Sequence, residues 1–442
     1  MDFLNGRIKT LYFRFLIAAF GSALITSIYS IVDMAMVGQY HGPAGTAALA
    51  VVAPIWNIIY SLGLLMGIGG SVLFSILRGK QGQEKQSNEY FTVSMITAGV
   101  LALIVWGLVV FFDREMLVLF GADESTLALA REYVLPIKAV VPCFLLTQAL
   151  AAYLRNDGNP GLATVGVLAG GIFNVFGDYF FVFPCQMGAR GAGLATAIGT
   201  VLSLIIMLSH FFSKKNTLRF VRPSRPLSKL REIVVTGFST FLIDIAMGVL
   251  TILFNRQIMT YLGTNALSIY GVIVNISTLV QCCAYSIGQA SQPIFSTNFG
   301  AGREDRTRQT LRYALTTAGV LGILWVAACL AFPNQFIRIF MSPTPEVLRL
   351  APFIIRSYSL SFLLLPLNIF STYYFQAVME PKTALVVSLS RGLLVSGCLI
   401  LLLPVIAGAD AIWFAMPLTE AVIAVYVVWE MAKYTKRLPD EN

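Results

Sequence analysis

Asn174 and Asp178 lie four residues apart inside a long apolar run from Gly161 to Pro184. On a helix they share one face, a turn from each other. A carboxylate with a carboxamide above it is costly at membrane depth unless it binds something. Gly170 continues that face by a further turn and would let a neighbouring helix approach. The other acidic residues inside apolar runs are Asp33, Asp244 and Glu420. At ~1.5 Å of rise per residue, Asp33 near the outer end of the first run, Asp178 near that of the fifth and Thr196 near the outer start of the sixth share one level. Asn174 sits a turn deeper. Two carboxylates, a carboxamide and a hydroxyl are the hard oxygen ligands that Na⁺ takes, and two neighbouring carboxylates also favour sharing a proton. The residues leave Na⁺ and H⁺ both open. The competing reading is that Asp33 and Asp178 only cross-link helices, with Lys138 as their partner. Asp244 and Glu420, near the middle of the seventh and twelfth runs, could form a cation-attracting cavity wall or a second proton site. Alternatively they pair across helices with Arg391.

The elements that must position these groups are membrane helices. Of 442 residues 57% are hydrophobic and 12% charged, with a mean hydropathy of +0.76; a soluble chain carries about twice that charged fraction. Twelve spans are expected, at roughly 11–38, 45–77, 90–112, 128–153, 161–184, 191–212, 233–261, 266–298, 309–332, 349–378, 383–406 and 411–433. The net charge of +9 does not point to nucleic acid, because the cations sit in short loops. Arg7, Lys9, Arg14, Arg78, Lys80, Lys85, Arg155, the stretch Lys214 to Arg231, Arg303, Arg306, Arg308, Arg312, Lys382, Lys433, Lys436 and Arg437 fall on one side. Only Arg114, Arg131, Arg190, Arg338 and Arg349 fall on the other. That asymmetry puts both termini in the cytoplasm, with the first span retained rather than cleaved. The longest polar connection, Ser213–Lys229, reads as a solvated basic linker with attraction to anionic headgroups. It divides residues 1–212, a first lobe holding the ion site, from 233–442, with 213–232 between them.

The halves repeat at a constant shift of 221 residues: Gly67, Phe74, Ser75 and Gly79 fall on Gly288, Phe295, Ser296 and Gly300, and Tyr153, Arg155 and Pro160 on Tyr374, Gln376 and Pro381. Two parallel six-span repeats rocking about a central cavity are a transporter architecture. At the same shift Asn174 and Asp178 become Val395 and Leu399, so the second lobe lacks the pair. Enzymatic and nucleotide-binding readings find little support. The Gly67–Gly70 and Gly300–Gly302 stretches carry no GK[ST] ending, so close packing is their expected role. The six cysteines show no metal spacing, so no cofactor is expected beyond the coupling ion. His41 and His210, the two histidines, are expected to be solvated or interfacial.

Several motifs together resemble the multidrug and toxic compound extrusion (MATE) family, in its bacterial DinF-like branch. Tyr29-Ser30-Ile31-Val32-Asp33 with Val37-Gly38 resembles the first-span signature. Leu154-Arg155-Asn156-Asp157-Gly158-Asn159-Pro160 followed by Asn174 and Asp178 resembles the fourth-to-fifth span region, and Gly191 to Thr196 the start of the sixth. Gln292-Pro293, Asn298 to Ala301 and Ala411 to Pro417 resemble spans 8 and 12. The resemblance implies an all-α integral membrane protein of twelve helices in two six-helix lobes forming a V. It implies antiport of Na⁺ or H⁺ against small organic, often cationic, compounds, with Asp33, Asn174, Asp178 and Thr196 as first-lobe cation ligands. Asp244, Gln292 and Glu420 are candidate cavity residues. Action as a monomer in the plasma membrane is expected. Such relatives often carry a proline early in span 1 where this chain has Ala18, with Gly21 nearby, which puts a proline-built bend in question. The rival within the same broad fold is a lipid-linked oligosaccharide flippase, which would line its cavity with more cations.

Overall fold

The computed structural model describes residues 3–80, 82–122, 124–340 and 343–437, without the side chains of Pro43, Ser125, Asp244, Thr264 and 435–437. Among these residues the regular structure is all helical. Lipid offers no partner to a bare N–H or C=O, so each apolar run closes its hydrogen bonds within itself. The first lobe comprises α1 (Ile8–His41), α2 (Pro43–Gly79), α3 (Glu84–Phe111), a short α4 (Asp113–Leu119), α5 (Glu124–Ile137), α6 (Val141–Asn156), α7 (Pro160–Val182) and α8 (Gly188–Leu208). The second comprises α9 (Pro226–Tyr261), α10 (Thr264–Gly300), α11 (Glu304–Ala331), a short α12 (Pro333–Phe340), α13 (Pro345–Ser359), α14 (Leu365–Ala377), α15 (Pro381–Leu389), α16 (Val395–Ala407) and α17 (Ala415–Arg437).

Among the described residues eleven helical segments are long and apolar enough to cross a bilayer, and the pair α5–α6 makes a twelfth if taken as one span. The expected fourth span is thus not a straight helix: it bends by 63° between Ile137 and Val141. Pro136 and Pro142 flank the break, and a proline inside a helix removes a donor and crowds the carbonyl four residues back. Two further spans carry local irregularities, a tight turn at Leu360–Leu363 between α13 and α14 and a wide turn at Ser390–Leu394 between α15 and α16. By contrast α1 is one uninterrupted helix. With alanine in place of proline at position 18, the chain keeps its ladder there, and Gly21 does not break it.

The two lobes meet at the face that carries both termini, here called the terminal face. There Phe3 touches Asn298 and Arg306 through its carbonyl, and Tyr434 packs on Tyr374. The seam is made by α2 against α9 and α10. A Cβ on Gly79 would lie 2.0 Å from the Thr297 carbonyl oxygen, and one on Gly300 1.9 Å from that of Ile76. Between helices already solvated by lipid, such close approach is itself the main source of attraction, so these two glycines hold the seam shut.

The helix that opens each lobe crosses to the other lobe. The first half of α1 (Tyr12, Phe15, Leu16, Ala19) is packed with Ile287, Ile294, Phe295 and Phe370 of the second lobe, whereas its second half runs along α7. Likewise Ile233, early in α9, is buried among first-lobe side chains. The basic linker keeps its cationic side chains Lys214, Lys215, Arg219, Arg222 and Arg225 exposed, but its backbone does not run free. It is strapped to α3: the N–H groups of Arg219, Val221 and Ser224 donate to Asn88 Oδ1 (2.9 Å), Thr92 Oγ1 (3.0 Å) and Glu89 Oε2 (3.0 Å), and Leu218 is buried. An extended strand of backbone has unspent donors, and α3 supplies their acceptors. His210 is also corrected. It is fully buried, 2.7 Å from Asp157 Oδ2 and 3.2 Å from Asn159 Nδ2.

Candidate cation site beside an interlobe cavity

Asp33, Asn174, Asp178 and Thr196 come from α1, α7 and α8 and meet in one buried cluster. Their exposures are 5%, 2%, 0% and 7%. Asn174 Nδ2 donates to Thr196 Oγ1 at 2.9 Å and to Asp178 Oδ1 at 3.4 Å. The Asp33 side chain is near enough to those of Asp178 and Thr196 to interact with them. What allows the convergence is the contact of α7 with α8 one turn below. A Cβ on Gly170 would lie 2.4 Å from the Gly199 carbonyl oxygen, so the face shared by Gly170 and Asn174 sits directly on α8.

A fifth member escaped the sequence reading. The Tyr133 hydroxyl donates to Asp33 Oδ2 in a short hydrogen bond. Tyr133 belongs to α5, which the break before α6 sets against α8. A span read as one straight helix gave no reason to single out one phenol. Lys138, the partner expected if the carboxylates were mere cross-links, is elsewhere. Its Nζ lies 3.0 Å from Asp113 Oδ2, and among the described residues no lysine or arginine pairs with Asp33 or Asp178.

The cluster is rich in unmatched acceptors. Asp33 Oδ1, Asp178 Oδ2 and Asn174 Oδ1 are buried and receive no hydrogen bond. Buried acceptors left bare are costly, and a proton or a cation placed between two carboxylates relieves their repulsion. The donor set is oxygen alone, and among the described residues no group of three or more His, Cys, Asp or Glu side chains is placed to hold a metal. The set therefore fits a hard monovalent ion or a proton rather than a transition metal.

Asp33 also faces a cavity of about 370 Å³ between the lobes. Its wall includes Tyr29, Trp56, Tyr60, Tyr133, Phe144, Gln148 and Asn57, with Thr278 from the second lobe. Asp33 supplies its carboxylate, and among the described residues the lining contains no lysine or arginine. A smaller cleft of about 50 Å³ reaches Asn174 and Thr196 and shares Tyr29 and Gln148 with the larger one.

The second-lobe candidates are placed differently. Glu420 is fully buried, with Oε1 2.8 Å from Arg391 Nε and Oε2 2.6 Å from Asn368 Nδ2; it does not line the cavity. Gln292 lies in the interlobe seam, its Oε1 3.3 Å from Asn156 Nδ2. The Asp244 side chain lies outside the described residues.

With this geometry in place, likeness to known proteins is informative. The MatE family profile matches residues 18–180 and 240–398, most of both repeats. The chain belongs to the MatE family. It is a membrane transporter, not an enzyme. Among relatives of this MatE chain is the multidrug export protein MepA of Staphylococcus haemolyticus, 23% identical over 92% of this chain and 90% of its own length. MepA of Staphylococcus saprophyticus is 25% identical over 84% and 82%. Solved structures with this fold include an outward-facing multidrug resistance MATE family transporter of the MOP superfamily (TM-score 0.91, 19% identity, 99% of this chain and 98% of that one). Another is a MOP superfamily transporter from Pyrococcus furiosus Vc1 for which reversed polarity of the binding pocket suggested a different function (TM-score 0.90, 19% identity, 99% and 98%). At that identity the structures speak for the fold alone.

Proposed function

We propose that this MatE chain is an exporter of small organic cations, driven by Na⁺ or H⁺ entering at the Asp33–Asp178 cluster. The observation that carries the reading is that Asp33 belongs to both places: it is part of the buried cluster and part of the cavity wall. A cation taken up by the cluster engages the carboxylate that a cationic cargo in the cavity would need. Ion and cargo then compete, which is the minimum that antiport requires. The aromatic wall suits flat, lipophilic cations through ring-face attraction.

α1 gives the competition a mechanical outlet. One half of it carries Asp33 together with the cavity residues Thr26, Ser27, Tyr29 and Ser30, and the other half is packed on the second lobe. A shift of α1 toward a bound cation pulls on both lobes. We place the terminal face in the cytoplasm, where the loop cations gather, so that the seam is closed inward and the cavity belongs to the outward-facing state. We read the chain as acting as a monomer in the plasma membrane, the multidrug activity named for its relatives carrying over to small-molecule cargo. A flippase for anionic lipid-linked sugars is the poorer reading, because among the described residues the cavity wall holds a carboxylate and no cation.

The test is efflux of a cationic dye from proteoliposomes under separately imposed Na⁺ and H⁺ gradients. One gradient should drive export, and Asp33→Asn or Asp178→Asn should reduce the driven rate by about a hundredfold or more, as loss of a buried charged ligand does. Wild-type rates in both variants would remove the assignment.

A further inference from the structure

The two lobes fill one place in the repeat differently. At the shift of 221 residues Gly170 of α7 falls on Arg391, and Gly199 of α8 falls on Glu420. In the first lobe these glycines are in backbone contact: a Cβ on Gly199 would lie 2.6 Å from the Gly170 carbonyl oxygen. In the second lobe their counterparts make the buried ion pair, with Arg391 Nε 2.8 Å from Glu420 Oε1. Thr147 of α6 falls in the same way on Asn368, whose Nδ2 holds Glu420 Oε2 at 2.6 Å. Contact at one shift in both lobes makes the ion pair and the glycine pair equivalent points of the fold. The second lobe thus keeps a tethered cation where the first has bare backbone. Beside that backbone lies the small cleft of about 50 Å³, lined by Thr147 as well as by both glycines.

The chemistry of the cleft suits a cation. Its walls come from α1, α6, α7 and α8, so it lies within the first lobe, and hydroxyls of Thr26, Thr147, Thr200 and Ser203 line it. Asn174 stands between the cleft and the carboxylates. Its Nδ2 is spent on Thr196 and Asp178, while Oδ1, the other prong of the same amide, is buried and receives no hydrogen bond. From Thr196 to Ser203 the cleft follows α8 for about 10 Å toward the terminal face. At that end Val167 packs against the apolar cluster of Leu150, Ala163 and Met207. Neutral oxygens of this kind replace the hydration shell of a hard cation, and the volume has room for an ion that keeps part of its water. Among the described residues the lining holds no carboxylate and no imidazole, so it offers no base to a proton.

Resting on the exporter reading above, we propose that this cleft is a Na⁺ station, to which the coupling ion steps from the Asp33–Asp178 carboxylates past Asn174. The step frees Asp33 for cargo while the ion is still inside the first lobe, so ion and cargo leave Asp33 by different ways. It also names Na⁺ as the coupling ion, since a proton released by the carboxylates would find no acceptor group in the cleft. Arg391 fills permanently in the second lobe the place that Na⁺ visits in the first.

The experiment uses the full chain in proteoliposomes and compares the wild type with Ser203→Ala combined with Thr147→Val. Two quantities are read: the rate of cationic-dye efflux driven by a Na⁺ gradient, and the displacement of bound dye by Na⁺ at equilibrium. Loss of two oxygen ligands on the ion's way should slow the driven rate by about tenfold or more. Displacement rests on the carboxylates and should stay as in the wild type, whereas damage to helix packing would move both. Ser203→Cys, in a chain whose own six cysteines are changed to alanine, carries the test if the double variant does not insert or loses both. Ag⁺, a thiol-seeking cation small enough for the cleft, should block its efflux, and Na⁺ but not choline should slow the block. An unchanged driven rate in the double variant, or a block by Ag⁺ that Na⁺ does not slow, overturns the station and leaves the exporter reading standing. So does displacement of the dye by acid and not by Na⁺. Dye binding indifferent to both ions overturns the station and the exporter reading together.

Discussion

At the residue scale the cation site depends on holding two carboxylates together without a cationic neighbour. Asn174, Thr196 and Tyr133 bring donors to Asp33 and Asp178, and in the proposed reading an ion completes the set. Tyr133 fixes the orientation of the Asp33 carboxylate through its hydroxyl, as an outer-shell partner does for a ligand. Tyr133→Phe should therefore raise the ion concentration for half-maximal driven efflux by about tenfold while leaving the ring in place. An unchanged half-saturation would show that the hydroxyl does no orienting. The Glu420–Arg391 pair is a different case. Both charges are spent on each other, which leaves Glu420 bridging α17 to the wide turn between α15 and α16.

At the element scale the short α4 is pinned by Asp113, whose carboxylate takes Arg131 Nε at 2.8 Å and Lys138 Nζ at 3.0 Å. Burial alone would push this carboxyl up, but the bonds to the two cations outweigh it and hold it below the usual carboxylate range. A lowered folded value means stability that is present above the ordinary carboxylate pKa of about 4 and lost as pH falls through the folded value. Asp113→Asn should cost about 1–3 kcal/mol at neutral pH. Its melting temperature should converge with that of the wild type below about pH 4; a gap independent of pH would contradict the pairing. Much at this scale was legible beforehand. Span existence follows from hydropathy, and the level shared by Asp33, Asp178 and Thr196 follows from the fixed rise of a helix. The bend at residues 137–141 was not read, because a hydropathy count averages over it, although Pro136 and Pro142 mark the place. The strap of 219–224 on α3 was illegible for another reason. Its partners Asn88, Glu89 and Thr92 are far away in sequence, and backbone N–H groups carry no pattern that names their acceptors. Tyr133 fell between the two cases, since only the bend gives it its neighbours.

At the scale of the whole molecule, the proposed antiport uses the crossing of α1 and α9 between lobes to make the seam and the cation site parts of one equilibrium. The seam rests on backbone contact at Gly79 and Gly300. Gly300→Val places side-chain atoms where the Ile76 carbonyl now sits, and should shift the population toward states open at the terminal face. Spin labels across that face would report a longer mean distance; an unchanged distance would mean that the glycines do not set the seam. Since a ligand moves an equilibrium only by its differential affinity for the two states, the decisive quantity is whether ion and cargo exclude one another. The direct measurement is equilibrium binding of a fluorescent organic cation to the purified chain, titrated with Na⁺ at fixed pH and with acid at fixed Na⁺. Sharing of Asp33 predicts that one of the two ions displaces the dye, and that the displacement curve flattens in Asp178→Asn. Dye binding indifferent to both ions, or an unaltered curve in the variant, would contradict it.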